Sequence, residues 1–289
     1  MIVDCHTHVG KDIFGERNNI LNFNGTSQEQ KIEELILKME KLGIDKCIIY
    51  PFPSPLGQFG EDEFWYHQEN TELVKYMKEY EDKLYFVPAF NPLDQKSVEY
   101  AFYLIDKYEL RGLKLHTRPI QYEPSHLSAE IMNFLIERDI PLVLHIGSGK
   151  EPELKNRGVD ISLSSAISLA RKYPEARFVF AHLGRLHKNL EDALALENVM
   201  LDTAGLTVKK VWKDYCAEEV HEKFSSLSPE DIISRLVTMG YEDKIMWGSD
   251  EPYGLSYIDE LNYVKNNQNL SSEQKKKLLY KNAINWFKL

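Results

Sequence analysis

The sequence predicts an α/β protein, a (β/α)8 barrel of the TIM type, and two observations lead to this prediction. Eight short apolar runs alternate with longer segments in which apolar residues recur every three or four positions. Apolar strands joined by amphipathic helices are typical of a parallel sheet covered on both faces. No GxGxxG turn follows the first run, which argues against an open dinucleotide-binding sheet, and eight units favour a closed barrel.

The predicted strands follow one another along the whole chain. They are residues 2–6, 46–52, 84–90, 111–116, 141–147, 177–183, 198–204 and 244–250. Segments such as SVEYAFYLIDKYEL and SAEIMNFLIERD between them have helical periodicity, and two more helices follow the last strand. No linker, repeat or low-complexity tract divides the chain, so residues 1–289 are expected to form a single domain.

Three connections are longer than the others, and they follow predicted strands one, two and seven. They cover about Gly10–Thr26, Pro53–Glu63 and Gly205–Ser228. In a barrel of this class the loops that follow the strands form the catalytic face. These long loops are therefore expected to cover a pocket on that face.

Composition and charge restrict the partners of the protein. A formal net charge of -10, without a basic stripe, argues against a nucleic-acid partner. No apolar run reaches membrane-spanning length and no signal-peptide pattern is present, so no membrane partner is expected. The three cysteines are scattered without a CxxC motif, which fits a reducing compartment. A cytoplasmic protein that acts on a small molecule is expected, and a homo-oligomer is an expectation from the fold class alone.

Polar side chains accumulate at the carboxyl ends of the predicted strands. His6 and His8 lie on one face of the first strand, because successive side chains of a strand alternate. The other strand-end residues are Lys114, His116, His145, His182 and Asp250. Burying so many ionisable groups costs a few kcal/mol for each group that lacks compensation. A metal ion at this face would provide that compensation.

The predicted ligand set contains three imidazoles and one carboxylate, from His6, His8, His145 and Asp250. Such a set suits one divalent metal ion, Zn²⁺ first and Mn²⁺ or Fe²⁺ as alternatives. His182 is expected beside the metal, in proton transfer or in polarising the substrate. Each residue alone has a plainer explanation, such as a core histidine or a turn, and their coincidence across strands favours the metal.

Motifs on separate strands resemble one known family. DCHTH, LVLHIG, FVFAHLG and IMWGSDEP look like the amidohydrolase superfamily, and specifically its amidohydrolase-2 branch, which includes aminocarboxymuconate-semialdehyde decarboxylase and related decarboxylases. GLKLH, VMLDTAG and the closing KNAINWF are also similar to that branch. The resemblance implies one divalent metal on the same ligand set, with His182 acting on the substrate or on water. It leaves the reaction open, because the branch holds hydrolases, non-oxidative decarboxylases and hydratases.

The preferred function is metal-dependent hydrolysis of a small amide, ester or lactone. In that reaction the metal activates a water molecule, Asp250 accepts its proton and His182 stabilises the developing oxyanion, which makes these two residues catalytic. The substrate contacts expected on this face are Lys114, His116, Arg118 and Arg185.

Three alternatives remain open at this point. The first is non-oxidative decarboxylation of an aromatic or unsaturated carboxylic acid, for which Arg118 and Arg185 would form a cationic clamp. The second is a protein that binds a metal or metabolite without catalysis. The third follows from the resemblance and concerns the metal count: in two-metal relatives a carboxylated lysine from the fourth strand bridges the metals, and Lys114 is on that strand, although His116 is closer to its end and one metal is preferred. Asp202, in VMLDTAG, either orients a ligand or begins a turn.

Overall fold

The computed structural model describes residues 1–11, 29–52, 65–147, 160–208, 221–254 and 256–289. The second long loop expected over the pocket, most of the first and half of the third lie outside these residues. Each of the eight predicted segments overlaps a strand, the first strand runs on past the predicted end to Lys11, and one short additional strand pairs antiparallel with its end. The strands are β1 (Val3–Lys11), β2 (Glu29–Gln30), β3 (Lys46–Pro51), β4 (Leu84–Phe86), β5 (Leu113–Leu115), β6 (Leu142–Leu144), β7 (Phe178–Phe180), β8 (Val199–Asp202) and β9 (Ile245–Met246).

The strands form two sheets that contact each other at both edges. Their orders are β2-β1-β3-β4 and β5-β6-β7-β8-β9, and all neighbours except β1 and β2 are parallel. At one edge Ala89 pairs with Lys114 in a parallel bridge, and at the other Thr7 pairs with Glu251. Backbone hydrogen bonds flank both bridges. This is the arrangement of the predicted (β/α)8 barrel.

Helices pack around the strands and follow them in sequence. The helices are Ile32–Leu42, His67–Glu79, Gln95–Tyr108, Thr117–Ile120, Ala129–Arg138, Leu163–Lys172, Leu190–Leu194, Glu222–Ser225, Pro229–Thr238, Tyr257–Lys265, Ser272–Lys276 and Asn282–Phe287. The helix that starts at Gln95 illustrates how the sequence determines where a helix begins. The Asp94 carboxylate accepts hydrogen bonds from the backbone N–H groups of Lys96 and Ser97, which satisfies donors that a helix start leaves unpaired. In the described part of the chain, no helix has the length and apolarity to span a membrane.

The barrel interior is apolar at its amino-terminal end and polar at its carboxyl-terminal end. The apolar cluster inside it contains Val3, Cys5, Ile48, Tyr50, Val87, Val143, Val179, Met200, Met246, Ala283 and Phe287. Above this cluster lie three buried polar side chains, His6, Lys114 and Asp202. The apolar cluster thus forms a rigid base that holds the polar groups at the carboxyl face.

Candidate metal centre and active site

Three of the four predicted metal ligands come together from β1 and from the segment that follows β9. His6, His8 and Asp250 each offer one ligand atom, and these atoms lie within 4.8 Å of one another. Asp250 Oδ1 lies 3.4 Å from His8 Nε2 and 3.7 Å from His6 Nε2. All three side chains are buried. The described residues contain no other group of three or more such side chains.

The outer ring nitrogens of both histidines contact hydrogen-bond acceptors. His6 Nδ1 lies 2.8 Å from Asp202 Oδ2, and His8 Nδ1 lies 3.1 Å from the carbonyl oxygen of Pro51. A carbonyl oxygen only accepts, so His8 Nδ1 donates to Pro51, and His8 Nε2 faces Asp250. Metal-ligating histidines are oriented in this way, by donating the other ring N–H to a protein oxygen.

The ionisation states of the group also suit a divalent cation. Burial, and then the charge of Lys114, lower the pKa of His6 well below its usual value, so its imidazole is neutral. Burial alone would raise the pKa of Asp250, but His182 and hydrogen bonding with His8 outweigh it and hold that pKa well below the usual range. The neutral imidazole of His6, the imidazole of His8 and the carboxylate of Asp250 form a donor set that fits Zn²⁺, Mn²⁺ or Fe²⁺.

The loop after β8 approaches Asp250 so closely that it requires glycine. A Cβ atom on Gly205 would lie 2.9 Å from Asp250 Oδ2, and the Gly205 φ of +67° falls in the left-handed region that glycine adopts at low cost. Asp250 also has a positive φ, of 63°, and its backbone N–H donates to the carbonyl of His6 at 2.8 Å. The backbone therefore fixes the carboxylate beside β1.

A left-handed turn after β7 presents the other side of the site. Residues 182–186 all have φ between +47° and +61°, a conformation that costs roughly 1–2 kcal/mol for each residue other than glycine. Strain of this kind is typical of functional sites. The turn places His182 Nδ1 3.8 Å from Asp250 Oδ2 and 3.0 Å from the carbonyl oxygen of Ala204.

His145 contacts this turn and is not part of the group of three. Its Nδ1 lies 3.0 Å from His182 Nε2, and its Nε2 lies 3.4 Å from Arg185 Nη2. Arg185 only donates, so His145 accepts at Nε2 and donates from Nδ1 to His182, which in turn donates from Nδ1 to Ala204. Both ring nitrogens of His145 are therefore engaged, and its role as a fourth metal ligand remains a prediction.

The residues predicted on strand four lie against the same group. Lys114 is completely buried, with Nζ 3.3 Å from His6 Nε2, and burial lowers the pKa of this lysine to about 8. His116 Nε2 lies 3.1 Å from the carbonyl oxygen of Pro51, and its ring is 5.7 Å from that of His8. Arg118 is half-buried in the short helix that follows.

Two contacts of the site go beyond what the sequence predicted. Asp202, for which a turn and an orienting role were equally open, contacts His6 directly. Aromatic rings also border His8: Phe52 lies 5.3 Å away and Tyr253 lies 5.4 Å away, between ring centres. The position of Asp202 at the end of a predicted strand was a sequence signal for its contact with His6. No sequence signal pointed to the aromatic rings beside His8.

Comparison with known proteins gives the family. The family model described as Amidohydrolase matches residues 3–289, and the chain belongs to this family. No curated protein matches the chain.

Solved structures share the fold at low identity. One is 5-carboxyvanillate decarboxylase from Novosphingobium aromaticivorans, complexed with manganese and 4-hydroxy-3-methoxy-5-nitrobenzoic acid: 19% identity, TM-score 0.70, covering 100% of this chain and 96% of that chain. Another is dihydroxybenzoic acid decarboxylase from Polaromonas sp. JS666, with bound manganese and the inhibitor 2-nitroresorcinol: 13% identity, TM-score 0.72, covering 100% and 97%. A third is 2,6-dihydroxybenzoate decarboxylase complexed with 2,6-dihydroxybenzoate: 14% identity, TM-score 0.66, covering 99% and 98%.

Proposed function

We propose that this chain is a metal-dependent, non-oxidative decarboxylase of an aromatic or unsaturated carboxylic acid. The observation that carries the proposal is the group formed by His6, His8 and Asp250, with the guanidinium of Arg185 on the same face of the barrel. The likeness to manganese-containing decarboxylases of aromatic acids supports this reaction over hydrolysis. The hydrolase favoured by the sequence becomes the second candidate.

The metal would be held by His6, His8 and Asp250, with His145 as the fourth ligand after exchange of its contact with His182. When bound, the ion would supply a Lewis acid that holds and polarises oxygen atoms of the substrate. Zn²⁺ fits the donor set, and the manganese of the similar structures makes Mn²⁺ the first ion to test.

Arg185 is placed to bind an anionic substrate. Its Nε donates to the carbonyl oxygen of Ile146 at 2.8 Å, which fixes the guanidinium at the rim of the site. A guanidinium pairs with a carboxylate more strongly than a neutral donor does. Lys114 adds a second positive charge on the metal side, and together these groups favour a carboxylate in an otherwise acidic protein.

Proton movement falls to Asp250 and His182. Decarboxylation breaks the bond between the carboxyl carbon and the substrate carbon that carries it. Carbon dioxide leaves, and the electron pair left on that substrate carbon takes up a proton. Asp250 Oδ2 and His182 Nδ1 lie 3.8 Å apart, and both are therefore close to any substrate held at the metal group. The rings of Phe52 and Tyr253 offer apolar surface to a flat substrate beside them.

One observation keeps hydrolysis as the second candidate. The low pKa of Asp250 makes it a carboxylate at neutral pH, and a carboxylate beside a metal group is a suitable base for a water molecule. The same arrangement would then act on an amide, ester or lactone, with His182 stabilising the oxyanion.

The deciding experiment loads purified protein with Mn²⁺ or Zn²⁺ and measures two reactions in parallel. Carbon dioxide release is followed with a panel of hydroxybenzoates and unsaturated acids, and product formation with a panel of amides, esters and lactones. Release of carbon dioxide supports the proposal. Hydrolysis alone supports the second candidate, and metal binding without any turnover supports a non-catalytic protein.

A pair of arginine variants tests the substrate contact. Arg185→Met is expected to raise the KM for the carboxylic acid by a larger factor than it lowers kcat, because the side chain binds a group that the substrate carries into the site. The matched control is Arg138→Met, since Arg138 lies on the outer surface and pairs with Asp106. Equal kinetics for the two variants would remove Arg185 from the substrate site.

A further inference from the structure

The Asp202 carboxylate joins three parts of the site. Its Oδ2 lies 2.8 Å from His6 Nδ1 on β1. Its Oδ1 accepts the backbone N–H of His182 at 2.8 Å and that of Ala204 at 3.1 Å. The side chain is completely buried. One carboxylate therefore contacts both the metal group and the left-handed turn that presents His182.

The direction of the bond to His6 follows from the groups around it. The Lys114 ammonium donates to His6 Nε2 at 3.3 Å, because an ammonium has no acceptor. A neutral imidazole that accepts at Nε2 carries its proton at Nδ1, so His6 donates from Nδ1 to Asp202 Oδ2. In this tautomer Nε2, 3.7 Å from Asp250 Oδ1, carries the lone pair that accepts from Lys114, and a bound metal would take the place of Lys114 on that lone pair.

We propose that Asp202 is a positioning residue that fixes the tautomer of His6 and the place of His182, and thereby couples metal binding to proton transfer. This inference rests on the proposed metal-dependent function. It assigns Asp202 no contact with the substrate.

A purely structural role would use only one of the two oxygens. The bond from Oδ1 to the N–H of Ala204, two residues along, is a turn contact that aspartate makes in many proteins. The bond from Oδ2 to His6 spans 196 positions of sequence and stabilises no turn. The two roles are therefore carried by different oxygens and are separable by substitution.

Asp202→Asn separates the roles of the two oxygens. The amide keeps one acceptor oxygen and replaces the second oxygen by an NH₂ group, which donates. With the amide oxygen on the two backbone N–H groups, the NH₂ group faces His6 Nδ1. A hydrogen bond there then requires a lone pair on Nδ1, which places the ring proton on Nε2 and removes the ligand lone pair. The turn is retained and the tautomer is reversed.

The matched control is Asp4→Asn. Asp4 is a completely buried carboxylate on β1, and one of its oxygens accepts the backbone N–H groups of His6 and Ser249, each at 3.0 Å. An amide oxygen reproduces both bonds and changes no imidazole contact. The control therefore reports the general effect of a buried Asp→Asn substitution beside the same histidine.

The experiment titrates metal-free protein with Mn²⁺ by calorimetry and measures the unfolding temperature of the same samples. Asp202→Asn is expected to weaken Mn²⁺ binding by about 10-fold to 100-fold, the usual range for loss of a group that orients a metal ligand. Its metal-free unfolding temperature is expected to match that of Asp4→Asn, whose Mn²⁺ affinity stays close to wild type. Equal Mn²⁺ affinity for Asp202→Asn and wild type would overturn the inference.

A second measurement tests the inference without any metal. Nitrogen-15 NMR of metal-free wild type, with the His6 signals assigned by their loss in His6→Gln, reports which ring nitrogen carries the proton. A proton on Nδ1 that moves to Nε2 in Asp202→Asn supports the inference, and a proton on Nε2 in the wild type overturns it even if Asp202→Asn does not fold. If the wild type binds neither Mn²⁺ nor Zn²⁺, the proposed function fails, and this NMR measurement still decides the role of Asp202.

Discussion

The two halves of the site use their histidines differently. On the β1 side, His6 and His8 donate hydrogen bonds from Nδ1 to Asp202 and Pro51, and their Nε2 atoms converge near Asp250. On the β7 side, the ring nitrogens of His145 and His182 contact each other, Arg185 and a carbonyl oxygen.

A lowered pKa does not distinguish these two halves. The pKa is lowered by burial for His6 on one side and for His145 and His182 on the other. The difference lies in the hydrogen-bond partners. On the β1 side the Nε2 atoms face Asp250, and the Lys114 ammonium is the group that a metal would displace from His6. On the β7 side the lone pairs accept from a neighbouring imidazole and a guanidinium, and these partners belong to the turn itself. The comparison teaches that residue type and a lowered pKa alone do not identify a metal ligand.

The largest effect is expected from removing both histidines of β1. The double variant His6→Ala with His8→Ala leaves Asp250 alone in the group, so metal affinity is expected to fall by more than about 1,000-fold, beyond the range for an orienting group. Elemental mass spectrometry after dialysis measures the bound metal. His126→Ala, at an exposed histidine, is the control. Metal retained by the double variant would place the centre elsewhere.

A loss of turnover without loss of metal is expected on the β7 side. His182→Gln is expected to lower kcat by about 100-fold to 10,000-fold, the range for general acid–base groups, while the metal content stays at the wild-type level. The control is His187→Gln, a buried histidine just beyond the turn that accepts the N–H of Asn189. If His182→Gln lost the metal as well, the two halves would not be functionally distinct.

A smaller change in metal affinity is expected for His145. Because His145 must exchange its contacts with His182 and Arg185 before it can bind a metal, His145→Ala is expected to weaken binding by about 10-fold to 100-fold. His8→Ala, measured by the same calorimetric titration, is expected to lose more. Losses of the same size would make His145 an equal member of the ligand group.

The last prediction concerns the stability of the protein and a buried acid near the Asp250 side. Glu260 is completely buried and accepts hydrogen bonds from the N–H and hydroxyl of Thr207, just after β8. Burial raises the pKa of Glu260 from 4.5 to about 8. The folded protein thus binds this proton more tightly than the unfolded chain does, so stability is fully present below pH 4.5 and falls as the pH rises toward 8.

Glu260→Gln removes this pH dependence. Above pH 8 the variant is expected to be more stable than wild type by on the order of 3 kcal/mol, and near pH 5 the difference shrinks. Thermal unfolding across this pH range measures it, with the exposed Glu99→Gln as control. A constant difference at all pH values would show that Glu260 is ionised throughout.

Local pattern was sufficient for the strands and for much of the site. The period of two along β1 put His6 and His8 on one face, and the ends of apolar runs located Lys114, His182 and Asp250. The order of the strands around the barrel then brings these ends together, because parallel strands share one carboxyl edge. The site could be placed from these rules without any knowledge of side-chain contacts.

The sequence by itself determined the alternation of strands and helices, the barrel class and the face on which the polar residues lie. Only the tertiary structure decided which side chains meet. The contact between β9 and β1 brings Asp250 beside His6, and the left-handed turn after β7 engages His145. The physical reason is that local periodicity fixes the direction of a side chain, whereas a hydrogen bond between residues as distant as His6 and Asp202 depends on strand register and backbone conformation in the folded barrel.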